Sequence, residues 1–441
     1  MENPKLLKNF ASLGVLQMAN YVFPLIAIPI ISRIIGPKNF GVINYAASFM
    51  AYFNLLISFG FDYTATRRIA AKPHDQVLRN VVFSEVFFSK LFLSALSIVF
   101  FLICLYVVPP LADEKRVACF SFIYSISMLF IPTWLFQGMQ ALPKLAFLTF
   151  LSRLVFTITV LFLVKQPNDY IWPPLITGIT QICMSIAAFA WAYKLYKVKM
   201  LKVSLSRIFL LLWEEKMIFI SLVVISLYTT TNVVILGLFK DNEQVGYYTA
   251  AQKLIDVAGA VISFPLAQTL FPFIGGAFNE DFNKGIETTK KIFPIIILLA
   301  AAFSIFLFFI GPIVLLWFYG QHFAQSISII KILAFVPLIV SINNFFCIQV
   351  MLNLKMDKEF FFVTVGGAIV GLILNLCMVR YTGSVGTAWN WLVVETVITL
   401  CAYIILRFKN IDLIDFNHFK PNNILIHLQS VVSNFNDKVN K

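Results

Sequence analysis

Twelve long apolar runs constrain this chain more than any other feature of its sequence. A membrane span needs about 20 apolar residues, and each run is long enough to cross the hydrocarbon as a helix. Because lipid offers no partner to a bare backbone, and the runs are too uniformly apolar for barrel strands, helices are expected. The sequence predicts an all-α polytopic membrane protein with about twelve transmembrane helices. The runs fall at 10–31, 40–64, 81–108, 117–137, 146–164, 172–193, 217–239, 248–276, 292–318, 328–350, 360–380 and 386–406.

Composition excludes several other classes of protein. Of the 441 residues, 60% are hydrophobic and 12% are charged, which is about half the charged share of a soluble protein. The net charge of +13 lies in short clusters between the apolar runs, as in membrane-flanking segments, so no nucleic-acid partner is expected. The cysteines lack metal-site spacing, and no nucleotide-binding or catalytic motif occurs. We therefore expect a transporter rather than an enzyme, without a bound metal or cofactor.

The distribution of Lys and Arg predicts the orientation of the chain. With the N-terminus inside, the inward segments carry about 23 of these residues and the outward loops about 7. Positive charge in short loops favours the cytoplasmic side of a membrane. We therefore expect both termini in the cytoplasm.

A basic segment near the middle of the sequence divides the chain into two halves. The segment at 194–216 is the longest internal hydrophilic connection, and its amphipathic pattern predicts a position along the cytoplasmic surface. A faint repeat supports the division, because FGVINYAA at Phe40–Ala47 is echoed by VGYYTAA at Val245–Ala251. Such duplication is typical of transporters built from two related lobes. The predicted division is a six-helix N-lobe at 1–193, the linker at 194–216, a six-helix C-lobe at 217–406 and a cytoplasmic tail at 407–441.

Polar residues recur at helical spacing within spans one, two, seven and eight. One interpretation is a hydrated cavity lined by these spans; the other is hydrogen bonding between helices, which uses the same residue types. Four such stripes, one of them with a lysine, favour the cavity. The candidate substrate-binding residues on the stripes are Asn20, Tyr45, Asn232, Gln252 and Lys253.

Charged residues within the spans mark further candidates, because a charge in hydrocarbon is costly. Lys253 either forms a structural ion pair with Asp256 one turn on, or faces a cavity and attracts an anionic group such as phosphate. Arg153 and Lys331 are weaker candidates for a cationic lining. Glu395 is interpreted as an ion-coupling carboxylate, as a partner of Lys331, or as a hydrogen-bonding group.

Two further charges lie near the predicted inner end of span three. Glu85 and Lys90 are five residues apart there. A long lysine side chain at such a position can extend its ammonium to the headgroups. We therefore expect both residues to anchor the span at the membrane interface.

Five segments resemble motifs of the bacterial polysaccharide flippases of the Wzx type, and they occur in the same order. The resemblance covers nearly the whole chain. The segments are YVFPLIAIPIISRIIGPKNFG at Tyr21–Gly41, FGFDYTATRRIA at Phe59–Ala70, PTWLFQGMQ at Pro132–Gln140, VGYYTAAQKL at Val245–Leu254, and a late group of Asn375, Gly383, Gly386 and Glu395.

This resemblance implies a MATE-like fold of the multidrug/oligosaccharidyl-lipid/polysaccharide (MOP) exporter superfamily, located in the bacterial inner membrane. It implies translocation of undecaprenyl-pyrophosphate-linked oligosaccharide repeat units for O-antigen or capsule synthesis by alternating access, with membrane lipid, a polymerase and a chain-length regulator as partners. TAAQKL also resembles the stretch around a cavity arginine of the lipid II flippases, which places Lys253 where a base meets lipid phosphates. Their basic residues in span one have no counterpart between Gln17 and Ile31. Coupling of export to a proton or sodium gradient through Asp256 or Glu395 is a further hypothesis.

Three alternatives remain at this point. A MATE-type drug/cation antiporter should favour cavity carboxylates, whereas here cations prevail. A polysaccharide polymerase or O-antigen ligase carries a large outward loop, whereas the predicted outward loops have about ten residues or fewer. A third alternative is a scaffold for glycosyltransferases, and the predicted tail at 407–441 is the one feature that supports it.

Overall fold

The computed structural model describes the backbone of residues 4–420. The described chain is helical, with no strand between residues 4 and 420, which confirms the all-α class. Residues 421–441, where apolar spacing predicts a short surface helix, lie outside the described part. Side chains are likewise outside the description at 4–22, 24–25, 228, 261–269, 272 and 416.

Contacts within the chain define two compact units. The first runs to Gly246 and includes Tyr319–His322; the second holds Tyr247–Phe318 and the residues from Phe323 onward. The helices that begin in the first unit are α1 (Pro4–Ser58), α2 (Phe61–Ala71), α3 (Gln76–Val107), α4 (Pro109–Asp113), α5 (Lys115–Ser127), α6 (Thr133–Gly138), α7 (Leu142–Leu163), α8 (Trp172–Leu195), α9 (Leu205–Thr229), α10 (Thr231–Phe239) and α11 (Asn242–Glu280). The helices that begin in the second are α12 (Phe282–Tyr319), α13 (Ser326–Leu333), α14 (Val336–Asn344) and α15 (Asp357–Phe408).

The described helices account for the predicted spans. Seven of them are long and apolar enough to cross a membrane, or eight if the bent pair Leu205–Leu227 and Thr231–Phe239 is one span. Two very long helices each hold two predicted spans, because α1 turns at Gly36 (φ 74°) and α15 turns at Gly383 (φ 57°). Glycine adopts this left-handed backbone without a steric penalty. The predicted runs therefore lie mainly on helices, with a break at 128–132 in span four, as expected of a multi-pass membrane protein.

A helix break in span four explains the position of Lys90. The helix α5 ends before Pro132, because proline cannot donate a backbone hydrogen bond and disfavours a helical residue before it. The break frees carbonyl oxygens, and the Lys90 ammonium donates to those of Met128 (3.1 Å) and Ile131 (3.2 Å). The side chain is buried. The prediction that Lys90 extends to the headgroups is therefore wrong.

The predicted linker at 194–216 consists of three parts, and its position along the cytoplasmic surface stays a prediction. Its first two residues close α8, Tyr196–Ser204 is non-helical, and the remainder forms the first turns of α9. The N-cap Ser204 accepts a hydrogen bond from the backbone N–H of Arg207 at 3.3 Å, which starts that helix. The compact units divide near Gly246 rather than at this linker, and the lobe boundaries derived from the sequence repeat stay a prediction.

Each unit has its own apolar core, and much of the remaining apolar surface faces outward. Phe83 and Phe136 lie in the core of the first unit, and Phe293 and Phe345 lie in that of the second. Large side chains such as Phe309, Trp317 and Phe362 are more than 60% exposed. Exposed apolar residues on apolar helices are expected where lipid is the solvent. This surface agrees with a protein that crosses the membrane many times.

Candidate functional site

The polar stripe of predicted span two lies against α10 and the start of α11. The side chain of Tyr45 is 1% exposed, and a Cβ added to Gly237 of α10 would overlap its ring. Two helical turns further along α1, the hydroxyl groups of Tyr52 and Thr231 share a hydrogen bond of 2.6 Å. The second half of α1 and α10 are therefore joined through residues that the sequence marks as polar.

Two glycines allow the backbones of α1 and α11 to touch beside this contact. A Cβ on Gly41 would overlap the carbonyl oxygen of Asn242, and one on Gly246 would overlap that of Pro37. These are the glycines of the repeated motif, and the contact is reciprocal. Small residues permit such close helix packing within membranes. A cavity of about 510 Å³ lies next to it and includes Lys38, Asp241 and Glu243 in its lining.

Asn232 is placed in this region, whereas Asn20 is not described. Asn232 follows Thr231 on α10 and is 4% exposed. The side chain of Asn20 lies in the part of α1 outside the described residues. The structure thus brings Tyr45 and the α10 polar residues into one packed region, and their role in a cavity stays a prediction.

Lys253 and Asp256 lie one turn apart on α11 in the second unit. The two charges interact electrostatically. Lys253 and its neighbour Gln252 are half-buried, and Asp256 is exposed. An isolated lysine at such a position costs free energy unless an acid or an anionic ligand offsets its charge. Both sequence interpretations, an ion pair and a cation for a substrate, are compatible with this arrangement.

The other two candidate cations lie on different helices. Arg153 is half-buried on α7, one turn after Phe150, whose ring meets Phe23 of α1 edge-on with centroids 5.2 Å apart. Lys331 is exposed near the end of α13, and its ammonium lies 5.7 Å from the ring centroid of Phe308. Arg153 is therefore on a helix that packs against span one, and Lys331 is held against an aromatic ring.

Glu395 has polar partners from two helices. The Asn343 amide on α14 donates to Glu395 Oε2 at 2.8 Å, and the Trp391 indole one turn earlier also donates to this carboxylate. Glu395 is 6% exposed. Of the three interpretations of Glu395 from the sequence, the structure shows the hydrogen-bonding group. Its role in ion coupling stays a prediction.

A cluster of charged residues joins α2, α3 and α9. The sequence does not predict this cluster. Glu85 accepts hydrogen bonds from Arg68 Nη2 and Arg207 Nε, each at 2.7 Å. Glu85 is buried between these two arginines, and its predicted role at the membrane interface stays a prediction. On the same side of α9, Glu215 accepts from the Thr64 hydroxyl at 2.7 Å. These bonds fix the beginning of α9 against α2 and α3.

Replacing Glu85 with glutamine is expected to destabilise this junction. Glutamine lacks the negative charge that pairs with the two arginines, and breaking a buried ion pair costs about 3–5 kcal/mol. Because both arginines are partly exposed, at 28% and 34%, we expect a loss of about 2–3 kcal/mol in the free energy of unfolding. Thermal unfolding in detergent measures it. The control is Glu214→Gln, whose carboxylate is half exposed and 3.5 Å from Arg207; equal shifts for both variants would contradict the prediction.

In the described part of the chain, no group of three or more His, Cys, Asp and Glu side chains is placed to hold a metal ion. The polar features instead comprise a packed stripe, cations on separate helices and hydrogen-bonded carboxylates. Such an arrangement defines a class of protein. It is typical of multi-pass helical transporters.

Comparison with known sequences gives the family. The profile described as "Polysaccharide biosynthesis protein" matches residues 6–278, and the chain belongs to this family. It is 27% identical over 401 residues to a protein named "Putative O-antigen transporter" from Escherichia coli (strain K12), covering 91% of this chain and 96% of that one. A protein of the same name from Shigella dysenteriae is 25% identical over 395 residues, with 89% and 98% covered. The resemblance predicted from the sequence motifs is confirmed.

Comparison with solved structures gives the fold. The lipid II flippase MurJ in an inward closed conformation matches with a TM-score of 0.67 and 14% identity, covering 94% of this chain and 90% of that one. An inward-facing MATE multidrug resistance transporter of the MOP superfamily matches with a TM-score of 0.68 and 13% identity, covering 91% and 98%. The predicted MATE-like fold is therefore confirmed.

Proposed function

We propose that this chain is a flippase that moves undecaprenyl-pyrophosphate-linked oligosaccharide repeat units across the bacterial inner membrane for O-antigen or capsule synthesis. The observation that carries this proposal is the similarity to O-antigen transporters over 91% of the chain. A match of that length includes the helices that bear the polar stripes and the intramembrane charges. The MurJ-like fold supports the proposal, because it is a fold in which a lipid-linked substrate is handled.

In this proposal Lys253 attracts the pyrophosphate. A lysine ammonium is a compact point charge suited to phosphate oxygens, and the side chain is half-buried on a membrane helix. Arg153 and Lys331 are weaker cationic contacts for the same group. Sugar hydroxyls would take hydrogen bonds from the polar stripes, which carry the remaining candidates Asn20, Tyr45, Asn232 and Gln252. The polyprenyl tail stays in lipid.

The proposed cycle is alternating access, with both termini in the cytoplasm. The contact between Gly41 and the start of α11 lies at the predicted outward ends of these helices, so it would separate when the site opens outward. Asp256 or Glu395 would take up and release a proton or a sodium ion during that change. A polymerase and a chain-length regulator would receive the exported units.

The experiment that tests the function uses a strain from which the gene has been deleted. We expect lipid-linked repeat units to accumulate in the cytoplasmic leaflet, where they are protected from a periplasmic sugar-modifying reagent. Restoring the chain should expose these units and return surface polysaccharide. Export of a cationic dye, with no effect on the repeat units, would instead favour a drug/cation antiporter. Exposed but unpolymerised units in the deletion strain would overturn the proposal.

A further inference from the structure

The non-helical segment after α8 is fixed by one face of α3. Gln76, Asn80 and Ser84 are spaced four residues apart, so they share a helix face. Gln76 Nε2 donates to the carbonyl oxygens of Tyr196 (3.2 Å) and Lys197 (3.0 Å). Two backbone N–H groups of the segment donate to side chains of this helix face. The N–H of Lys199 donates to Asn80 Oδ1 at 2.9 Å, and the N–H of Leu201 donates to Ser84 Oγ at 2.8 Å. These four hydrogen bonds hold the segment in one conformation.

The same segment presents three lysines to the outside. Tyr196 and Val198 point inward and are buried, whereas Lys197, Lys199 and Lys202 are exposed. Lys197 occupies a left-handed conformation (φ 48°) at the end of α8, where glycine is the usual residue. The backbone of Val198 then donates to the carbonyl oxygen of Tyr193 at 3.1 Å and closes the helix. We call Lys197, Lys199 and Lys202 the basic edge.

A lipid-facing stripe begins directly after the basic edge. Leu205, Phe209, Trp213 and Met217 are spaced four residues apart along α9, and each is more than half exposed. An exposed apolar stripe on a membrane helix faces acyl chains. The Lys216 ammonium lies 3.0 Å from the centroid of the Trp213 ring, and Trp beside Lys is typical of the membrane interface. The basic edge is therefore expected at headgroup level, next to acyl chains.

We infer that the basic edge is a binding site for the headgroup of an anionic phospholipid, whose acyl chains lie along the α9 stripe. General attraction of lysines to an anionic surface needs no fixed geometry. Here the hydrogen bonds from α3 order the backbone before a lipid arrives, so less conformational freedom is lost on binding. The site thus depends on Asn80 and Ser84 as well as on the lysines. It is separate from Lys253 and from the proposed transport of repeat units.

The test uses the purified full chain in neutral detergent, titrated with phosphatidylglycerol or phosphatidylcholine, with bound lipid counted by native mass spectrometry. We expect the wild type to retain phosphatidylglycerol in preference to phosphatidylcholine. The triple variant K197Q/K199Q/K202Q should bind phosphatidylglycerol about 100-fold more weakly, given the contribution of each lysine near an anionic surface. The matched control K38Q/K115Q/K165Q removes three lysines that are also exposed and should keep the wild-type affinity.

A second variant separates a built site from general charge attraction. N80A/S84A keeps every lysine and removes two of the hydrogen bonds that fix the segment. We expect its affinity for phosphatidylglycerol to fall about tenfold, while thermal unfolding confirms that the chain is folded. Wild-type affinity in N80A/S84A, or equal losses in the two triple lysine variants, would overturn the inference. The inference would also be overturned if the chain showed no preference for phosphatidylglycerol and the basic edge bound an acidic protein instead.

Discussion

Replacing Lys253 with alanine is expected to abolish surface polysaccharide at normal protein levels. Lys253 is half-buried on α11, with Asp256 as its electrostatic neighbour. Truncating one partner of a desolvated charged contact costs about 2–5 kcal/mol. A loss of this size at the pyrophosphate would reduce transport about 30-fold or more. Polysaccharide on the cell surface, measured by gel staining against the amount of protein in the membrane, reports the result.

Three companion variants distinguish a substrate contact from a structural ion pair. Lys253→Arg keeps the charge and should retain part of the activity. The double variant Lys253→Ala/Asp256→Ala removes both charges. If the pair is only structural, this double variant should recover transport, whereas a substrate contact leaves it inactive. Lys284→Ala, on an exposed lysine that pairs with Glu280, should behave as the wild type. Undiminished polysaccharide in Lys253→Ala would contradict the assignment.

Leucine at Gly41 or Gly246 is expected to separate α1 from α11. A side chain at either position would meet backbone atoms of the other helix, which cannot rotate away. Overpacking of this kind costs about 1–3 kcal/mol, which would lower the population of the touching arrangement about fivefold or more. We expect transport to fall, because the proposed cycle needs this contact to form again after each outward opening.

Cross-linking measures the separation directly. Lys38 and Glu243 line the same cavity beside the contact, so cysteines at these positions should react with a short bifunctional reagent once the six native cysteines are replaced. Cross-linking should decrease in both leucine variants. Gly366→Leu is the control, since a side chain there meets no atom within 4 Å. Unchanged cross-linking with leucine at Gly41 would show that these helices accommodate the side chain, contrary to the prediction.

The fold was predictable because each span carries its own signal. A run of about 20 apolar residues identifies a membrane helix without reference to any other part of the chain. The turns at Gly36 and Gly383 lie between such runs, where glycine accepts a left-handed backbone. The repeated motif also marked Gly41 and Gly246, although not that each would touch the other helix. That contact depends on helix packing, which periodicity does not report.

The charge cluster at Glu85 was not predictable in the same way. Its partner Arg207 is 122 residues away in the sequence, and many arginines compete for one carboxylate. The prediction for Lys90 is wrong for a related reason. Its burial depends on carbonyl oxygens that a break in another helix exposes, and a lysine near the end of a span usually reaches the headgroups instead.

The buried ammonium of Lys90 bears on how the chain enters the bilayer during synthesis. Its acceptors, Met128 and Ile131, follow it by 38 and 41 residues, so they leave the ribosome later. A lysine in the centre of a lone helix opposes insertion by about 2.5–3.5 kcal/mol. Span three is therefore most stable in lipid only after span four has arrived. The two spans are expected to leave the insertion machinery as a pair, because the carbonyl oxygens exposed by the break in span four accept the hydrogen bonds of Lys90 in span three.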